Sequence, residues 1–162
     1  MSPLDIFRLL IDVVKAGYHA ARQIPQVTCD IHGVYKARWS PDSFPDESGN
    51  TIAEGIRIET AGTILLVNSG SVDTTVKDVH VVCMSGKKIL GQLRCILTAK
   101  RSDYELSLSG VIIEPRRIWG PKTIRIEGSL WGINEPPKDL EAELVIEVVS
   151  QRPIKKKIKL YL

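Results

Sequence analysis

ILLVNSGSVDTTVKDVHVVC, residues 64–83, is the stretch on which the fold turns. Ile64, Leu65, Leu66 and Val67 form a short apolar run. Asn68, Ser69 and Gly70 are turn formers, because Gly tolerates positive φ and Asn and Ser bond their own backbone. Beyond them an alternating strand runs through Val76, Val79, Val81 and Cys83. Two strand signals around such a turn predict a β-hairpin inside an all-β sandwich. No catalytic motif of comparable strength occurs elsewhere in the chain.

Outward from this hairpin the period of two persists. Strands are expected near 52–59, 63–68, 75–84, 89–98, 104–113, 123–131, 140–149 and 154–161, at the spacing of a sandwich. Residues 40–50 (SPDSFPDESGN) read as the longest loop, and 114–121 and 132–138 as shorter ones. Upstream, Val27, Cys29 and Ile31 alternate with polar residues until Gly33 breaks the phase and Tyr35, Ala37 and Trp39 take over the apolar face. A glycine at a phase change marks a bulge or tight turn.

The last two strands make a specific prediction. Leu140, Ala142, Leu144, Ile146 and Val148 share one face, with Glu141, Glu143 and Glu147 opposite. Ile158, Leu160 and Leu162 share a face, with Lys155, Lys157 and Lys159 opposite. A hairpin turning near 151–153 sets glutamates across from lysines, each pair contributing about 0.2–1 kcal/mol.

Residues 3–23 carry the helical period instead. Ser2 suits the N-cap, Pro3 the first turn, and Pro25 stops the helix. Asp5, Arg8, Asp12, Lys15, His19 and Arg22 form one narrow polar stripe, and nearly all else is apolar. The chain therefore divides into an N-terminal hydrophobic helix, 1–24, and a β-sandwich domain, 25–162. The helix face of Phe7, Leu10, Ile11, Val14 and Tyr18 is the expected partner-binding surface. It can pack on its own sandwich, on a second subunit or other protein, or on a membrane surface; Asp5 and Asp12 count against the last.

Composition narrows the function classes. The 162 residues are 43% hydrophobic and 25% charged, with a net charge of +3. That is ordinary for a globular protein and too mild to imply nucleic acid. Cys29, Cys83 and Cys95 are an odd number and no N-glycosylation sequon occurs, so reduced thiols and a cytoplasmic location are expected. Neither a signal peptide nor a membrane span is expected, since Asp5, Asp12 and Lys15 interrupt the apolar leader.

Each chemical motif has a plainer reading. Cys29-x-x-His32 and His80-x-x-Cys83 could together ligate zinc. Positions i and i+3 on a flat strand point to opposite faces, however, so two core cysteines are the simpler account. No nucleophile elbow or phosphate-binding glycine loop is present; neither an enzyme nor a cofactor is expected. The basic patch Lys155, Lys156, Lys157 and Lys159 could bind anions, but alternating lysines also protect an edge strand from aggregation. Trp39, Trp119 and Trp131 could stack sugars; aromatics at strand ends more often plug a core.

Leu65–Val81 resembles the middle of immunoglobulin-like and fibronectin-type domains, where an apolar strand ends in an Asn-Gly turn and a Thr/Val-rich strand follows. The layout is also similar to small prokaryotic proteins with a hydrophobic N-terminal helix, one immunoglobulin-like domain and a lysine-rich last strand. The resemblance implies an immunoglobulin-like antiparallel β-sandwich with an N-terminal α-helix, and carries no catalytic residues. The expected function is a non-catalytic interaction or assembly module, self-association included. A helix-tethered domain at a membrane is the alternative, and a zinc or enzymatic protein using Cys29, His32, His80 and Cys83 a further one.

Overall fold

The computed structural model describes residues 11–15, 25–34, 36–98 and 106–162. They form an antiparallel, mainly β structure of ten strands: β1 (Val27–His32), β2 (Arg38–Pro45), β3 (Thr51–Asn68), β4 (Thr74–Ser85), β5 (Lys88–Leu97), β6 (Leu106–Ser107), β7 (Ile112–Ile113), β8 (Arg117–Trp131), β9 (Leu140–Val148) and β10 (Ile154–Ile158). The hydrogen-bonded order is β1-β3-β8-β5-β4-β9-β10, with β2 added to β3, β6 to β5 and β7 to β4. The path curls until its end strands, β1 and β10, come side by side, giving a nearly closed, barrel-like sheet.

The core is what the alternation requires. Val76, Val79, Val81 and Cys83 from β4 and Leu144, Ile146 and Val148 from β9 are buried with Ile56, Ile58, Ile64 and Leu66 from β3. Each such side chain contributes about 1.5–3 kcal/mol when removed from water.

Residues 64–83 are not a hairpin. β3 neighbours β1, β2 and β8, whereas β4 neighbours β5, β7 and β9, so 69–73 carry the chain from one part of the sheet to another. Asn68, fully buried, organises this corner. Its Oδ1 accepts the Gly70 N–H at 3.0 Å and its Nδ2 donates to Val72 O at 2.8 Å and Ile113 O at 3.1 Å. A hairpin asparagine would point to solvent; this one holds three backbone segments, so the chain leaves β3 without folding back on it.

Other boundaries also move. The expected strands 52–59 and 63–68 are one strand, β3, served on one edge first by β2 and then by β1. Half of the expected 40–50 loop is strand. β2 reaches Pro45, and only 46–50 turn, with Asp46 accepting the Ser48 and Asn50 N–H groups at 2.9 and 2.7 Å. Pro41 and Pro45 fit because β2 pairs only with β3, and an edge strand tolerates a missing N–H. β8 begins at Arg117, inside the expected 114–121 loop. The 104–113 strand is reduced, among the described residues, to β6 and β7 separated by a turn. Gly33, with φ +57, does break the backbone between β1 and β2.

The β9–β10 hairpin has the expected faces. Ile154 lies opposite Ile146 and Lys157 opposite Glu143. The ion pairs run diagonally, Lys155 to Glu143 at 3.3 Å and Lys157 to Glu141 at 3.6 Å.

Residues 11–15 are helical and all exposed. Ile11 and Val14 of the expected partner face are therefore uncovered, and Phe7, Leu10 and Tyr18 lie outside the described residues. Among the described residues no helix is long and apolar enough to cross a membrane.

Candidate functional site

The four cysteine and histidine candidates separate as strand geometry requires. Cys29 and Cys83 point into the core, while His32, exposed, and His80, largely covered, lie on the outer face of the sheet, each against the aspartate two residues before it. His32 Nε2 is 2.8 Å from Asp30, and His80 Nδ1 is 2.7 Å from Asp78. Among the described residues no group of three or more His, Cys, Asp or Glu gathers. The thiols are unpaired. Burial pushes Cys29 and Cys83 up to about 11 and Cys95 to about 12, so they are poor nucleophiles.

Lys155, Lys156 and Lys157 of the basic patch do not share one face. Lys155 and Lys157 face out and pair with Glu143 and Glu141. Lys156 shares the phase of Ile154 and Ile158, and its ammonium emerges at the β1–β10 seam. There it donates to Cys29 O at 2.8 Å and to Asp30 Oδ1 at 2.9 Å. The Lys156 hydrogen bond holds the Asp30 carboxyl below the usual carboxylate value.

Two arrangements on the outer surface remain. The first is a row of side chains set by strand register. Arg38 lies opposite Glu59, Glu59 opposite Glu127, Glu127 opposite Arg94, and Arg94 opposite His80. Two glutamates directly opposed repel each other; here guanidiniums offset the repulsion. Glu127 is only 4% exposed, and Arg57, Arg94 and Arg125 converge on it. Arg94 Nε donates to Glu127 Oε1 at 3.0 Å, one of its Nη groups contacts the same oxygen, and Arg125 Nε lies 3.0 Å from Oε2. The aliphatic stems of long cationic side chains cover apolar or buried groups while their heads stay wet, which accounts for a carboxylate buried on an outer face.

Beside this cluster the sheet forks. β4 and β5 pair only from His80–Arg94 to Ser85–Lys88. Beyond Arg94, β5 continues along β8, while the first half of β4 pairs with β7 and β9. The fork opens a cavity of about 450 Å³ whose polar lining is Asp78, His80, Gln92, Arg94 and Ser107.

The second arrangement is aromatic. Phe44 on β2 and Trp131 at the end of β8 meet edge to face, with centroids 6.2 Å apart and planes at 78°. Phe44 is 57% exposed and Trp131 42%. Trp131 lies over Gly55, where an added Cβ would stand 2.4 Å from Leu130 O and 2.9 Å from the indole; only glycine permits that approach. Ile52 is exposed near the same end of β3, and Trp39, opposite Ile58, is exposed on the other face of β2 from Phe44, whereas Trp119 packs against the core.

Sequence reasoning missed Glu127, Arg94, Asn68 and Phe44 as organisers. Arg125 and Glu127 stand two apart on one face, a visible signal, but their partners depend on the register of β3 and β5. Phe44 was hidden by the loop reading of 40–50.

No family model matches the chain, and no curated protein matches it. Among solved structures it is similar to the crystal structure named for the ApaA protein of Bordetella pertussis, at 13% identity over 85% of this chain and 91% of that one, with a TM-score of 0.35. It is also similar to a structural-genomics target, SoR45, at 12% identity over 82% of each chain, with a TM-score of 0.37. Similarity at this level carries no argument about fold or function.

Proposed function

We propose that this chain is a non-catalytic interaction module, built on an immunoglobulin-like sandwich, that associates with a second copy of itself. The observation that carries the reading is the Phe44–Trp131 pair, two large aromatic side chains held rigidly by β2, β8 and Gly55 yet about half open to water. Aromatic residues are enriched at the centres of protein interfaces, because they bury much area at little entropy cost. Exposed Ile52 lies at the same end of β3, and exposed Ile11, Val13 and Val14 add a second apolar surface. Pro41 and Pro45 lack the N–H groups that strand addition to β2 would use, so the reading places the contact on side chains. The fork between β4 and β5 supports the sandwich reading, since the two strands part beyond His80–Arg94 within the one curled sheet. Unpaired, buried thiols fit a cytoplasmic setting.

Sedimentation velocity of the whole chain tests the reading. A dimer that forms with rising concentration and dissociates in the Phe44→Ser/Trp131→Ser variant is expected. Val13→Asp/Val14→Asp reports separately on the helical surface. A monomer up to about 100 μM, or a dimer indifferent to both double variants, would overturn it.

A further inference from the structure

We infer that the slot where β9 and β10 part is a binding site for a small amphiphile, a monocarboxylate with an apolar tail, with Lys159 as its headgroup contact. The slot shares no residue with the aromatic patch, and the inference does not depend on self-association.

Strand pairing makes the slot. The β9–β10 ladder ends where Ile158 lies opposite Ala142. β9 extends back to Leu140, but the chain beyond Ile158 leaves it, and Tyr161 O accepts the Ala37 N–H at 2.7 Å instead. The wedge between the parted segments is a cavity of about 410 Å³, within the roughly 300–1,000 Å³ of small-molecule sites.

Strand alternation divides its lining into two kinds. Leu140, Ala142, Ile158 and Leu160 share the core-facing phase and supply apolar walls. Leu140 and Leu160 are only half-buried, so part of this apolar surface is open to a ligand. Glu141, Lys157, Lys159 and Tyr161 hold the opposite phase and form the exposed mouth. An apolar interior with a few polar groups at its entrance suits a molecule with a tail and a head.

The charges at the mouth select the head. Lys157 is engaged by Glu141 at 3.6 Å. Among the described residues Lys159 forms no ion pair. Asp139, next in the chain to Leu140, turns towards β4 on the far side of β9, where Ser85 Oγ donates to its two oxygens at 2.8 and 3.0 Å. It therefore leaves the ammonium of Lys159 to a ligand. One such ammonium beside an apolar slot complements one negative charge on an apolar tail. The geometry favours a free carboxylic acid of medium chain length over a neutral or cationic amphiphile.

Methyl NMR of the whole chain, following Leu140, Ile158 and Leu160, tests this. Butyrate, hexanoate and octanoate are titrated at constant ionic strength, with acetate and octanol for comparison. Saturable movement of these methyls is expected for octanoate at about 1 mM or below. Each methylene added from butyrate onward should tighten binding by up to about fourfold. Octanol should bind more weakly than octanoate, and acetate not at all. Lys159→Glu, an exposed position, should weaken octanoate at least about fivefold and leave octanol unchanged. Leu160→Gln should weaken both. Lys77→Glu, at the other end of β4 from the Ser85–Leu140 pair, should change neither. An affinity independent of tail length would overturn the inference, as would equal binding of octanol and octanoate. Octanoate binding that Lys159→Glu does not alter, or shifts that never saturate, would overturn it too.

Discussion

Gln151 holds Val27 with both ends of its carboxamide. Nε2 donates to Val27 O at 2.9 Å, and Oε1 accepts the Val27 N–H at 2.9 Å. A side chain from the β9–β10 turn thus reproduces the two-bond exchange of neighbouring strands, at the seam where β1 meets β10. Lys156 closes the middle of that seam through Cys29 O, and the Ala37 N–H to Tyr161 O bond, at 2.7 Å, its far end. Side chains, more than a continuous backbone ladder, complete the barrel-like curl.

Replacing Gln151 opens one end of this seam. Two part-buried hydrogen bonds at about 0.5–1.5 kcal/mol each imply a loss of about 1–3 kcal/mol for Gln151→Ala in urea unfolding. Gln151→Glu keeps the acceptor but sets a carboxylate oxygen against Val27 O, so it should be no better than alanine. Wild-type stability in both variants would show that the seam contributes nothing.

Asn68 should be among the least replaceable polar residues. Asn68→Ala leaves Val72 O and Ile113 O without their donor inside the protein, at about 1–3 kcal/mol for each unsatisfied group. The chevron of Asn68→Ala, compared with wild type, would also report whether the corner forms before or after the folding transition state. A midpoint shift smaller than that of Gln151→Ala would contradict the role assigned to the corner.

The Lys156–Asp30 contact gives the seam a pH dependence. Asp30 is held below the ordinary carboxylate value, first by the Lys156 hydrogen bond and further by nearby His32. A carboxyl with a depressed folded value stabilises the fold above its unfolded pKa, near 3.9, and that contribution disappears as pH falls through the folded value. In Lys156→Met the Asp30 carboxyl carbon should titrate nearer the ordinary value, and stability should fall less steeply between about pH 5 and 2. An unchanged Asp30 titration would show that Lys156 is not its partner in solution.

The thiols make a prediction of opposite sign. Burial raises Cys29 and Cys83 to about 11 and Cys95 to about 12 from the ordinary thiol value of 9.0. Keeping thiols protonated stabilises the fold fully below the unfolded value, and the benefit is lost as pH rises through the folded ones. Iodoacetamide at about pH 8 should leave all three cysteines unmodified in the native protein and label all three in urea, read by mass spectrometry. Rapid native labelling of any one would refute its burial.

Glu127 is a buried charge on the outer face. Glu127→Gln leaves Arg57, Arg94 and Arg125 facing one another without their shared acid. Breaking a buried pair costs about 3–5 kcal/mol, but these arginines are substantially hydrated and surface pairs are worth far less. A loss of about 1–3 kcal/mol, partly relieved by added salt, is expected in thermal unfolding. A salt-insensitive loss would indicate packing in place of charge.

How much was legible differs by residue. The inward phase of Val76, Val79, Val81 and Cys83, the burial of Cys29, and the matched faces of 140–148 and 154–158 all follow from the period of two, because successive strand side chains point to opposite faces whatever the neighbour is. The split of Cys29 from His32 and of His80 from Cys83 follows from the same rule. Partnership was not legible. Alternation says which face a residue occupies and nothing about which strand lies alongside, except where a short turn forces the answer, as between β9 and β10. The Asn68-Ser69-Gly70 turn looked like such a case, yet a buried carboxamide bonding Val72 and Ile113 sends the chain across instead of back. The convergence of Arg57, Arg94 and Arg125 on Glu127 joins three strands far apart in sequence, and Lys156 reaches β1 only because the sheet curls. Local stereochemistry determined the sidedness of this protein; its neighbours, its corner and its charge cluster came from long-range contacts that no local pattern encodes.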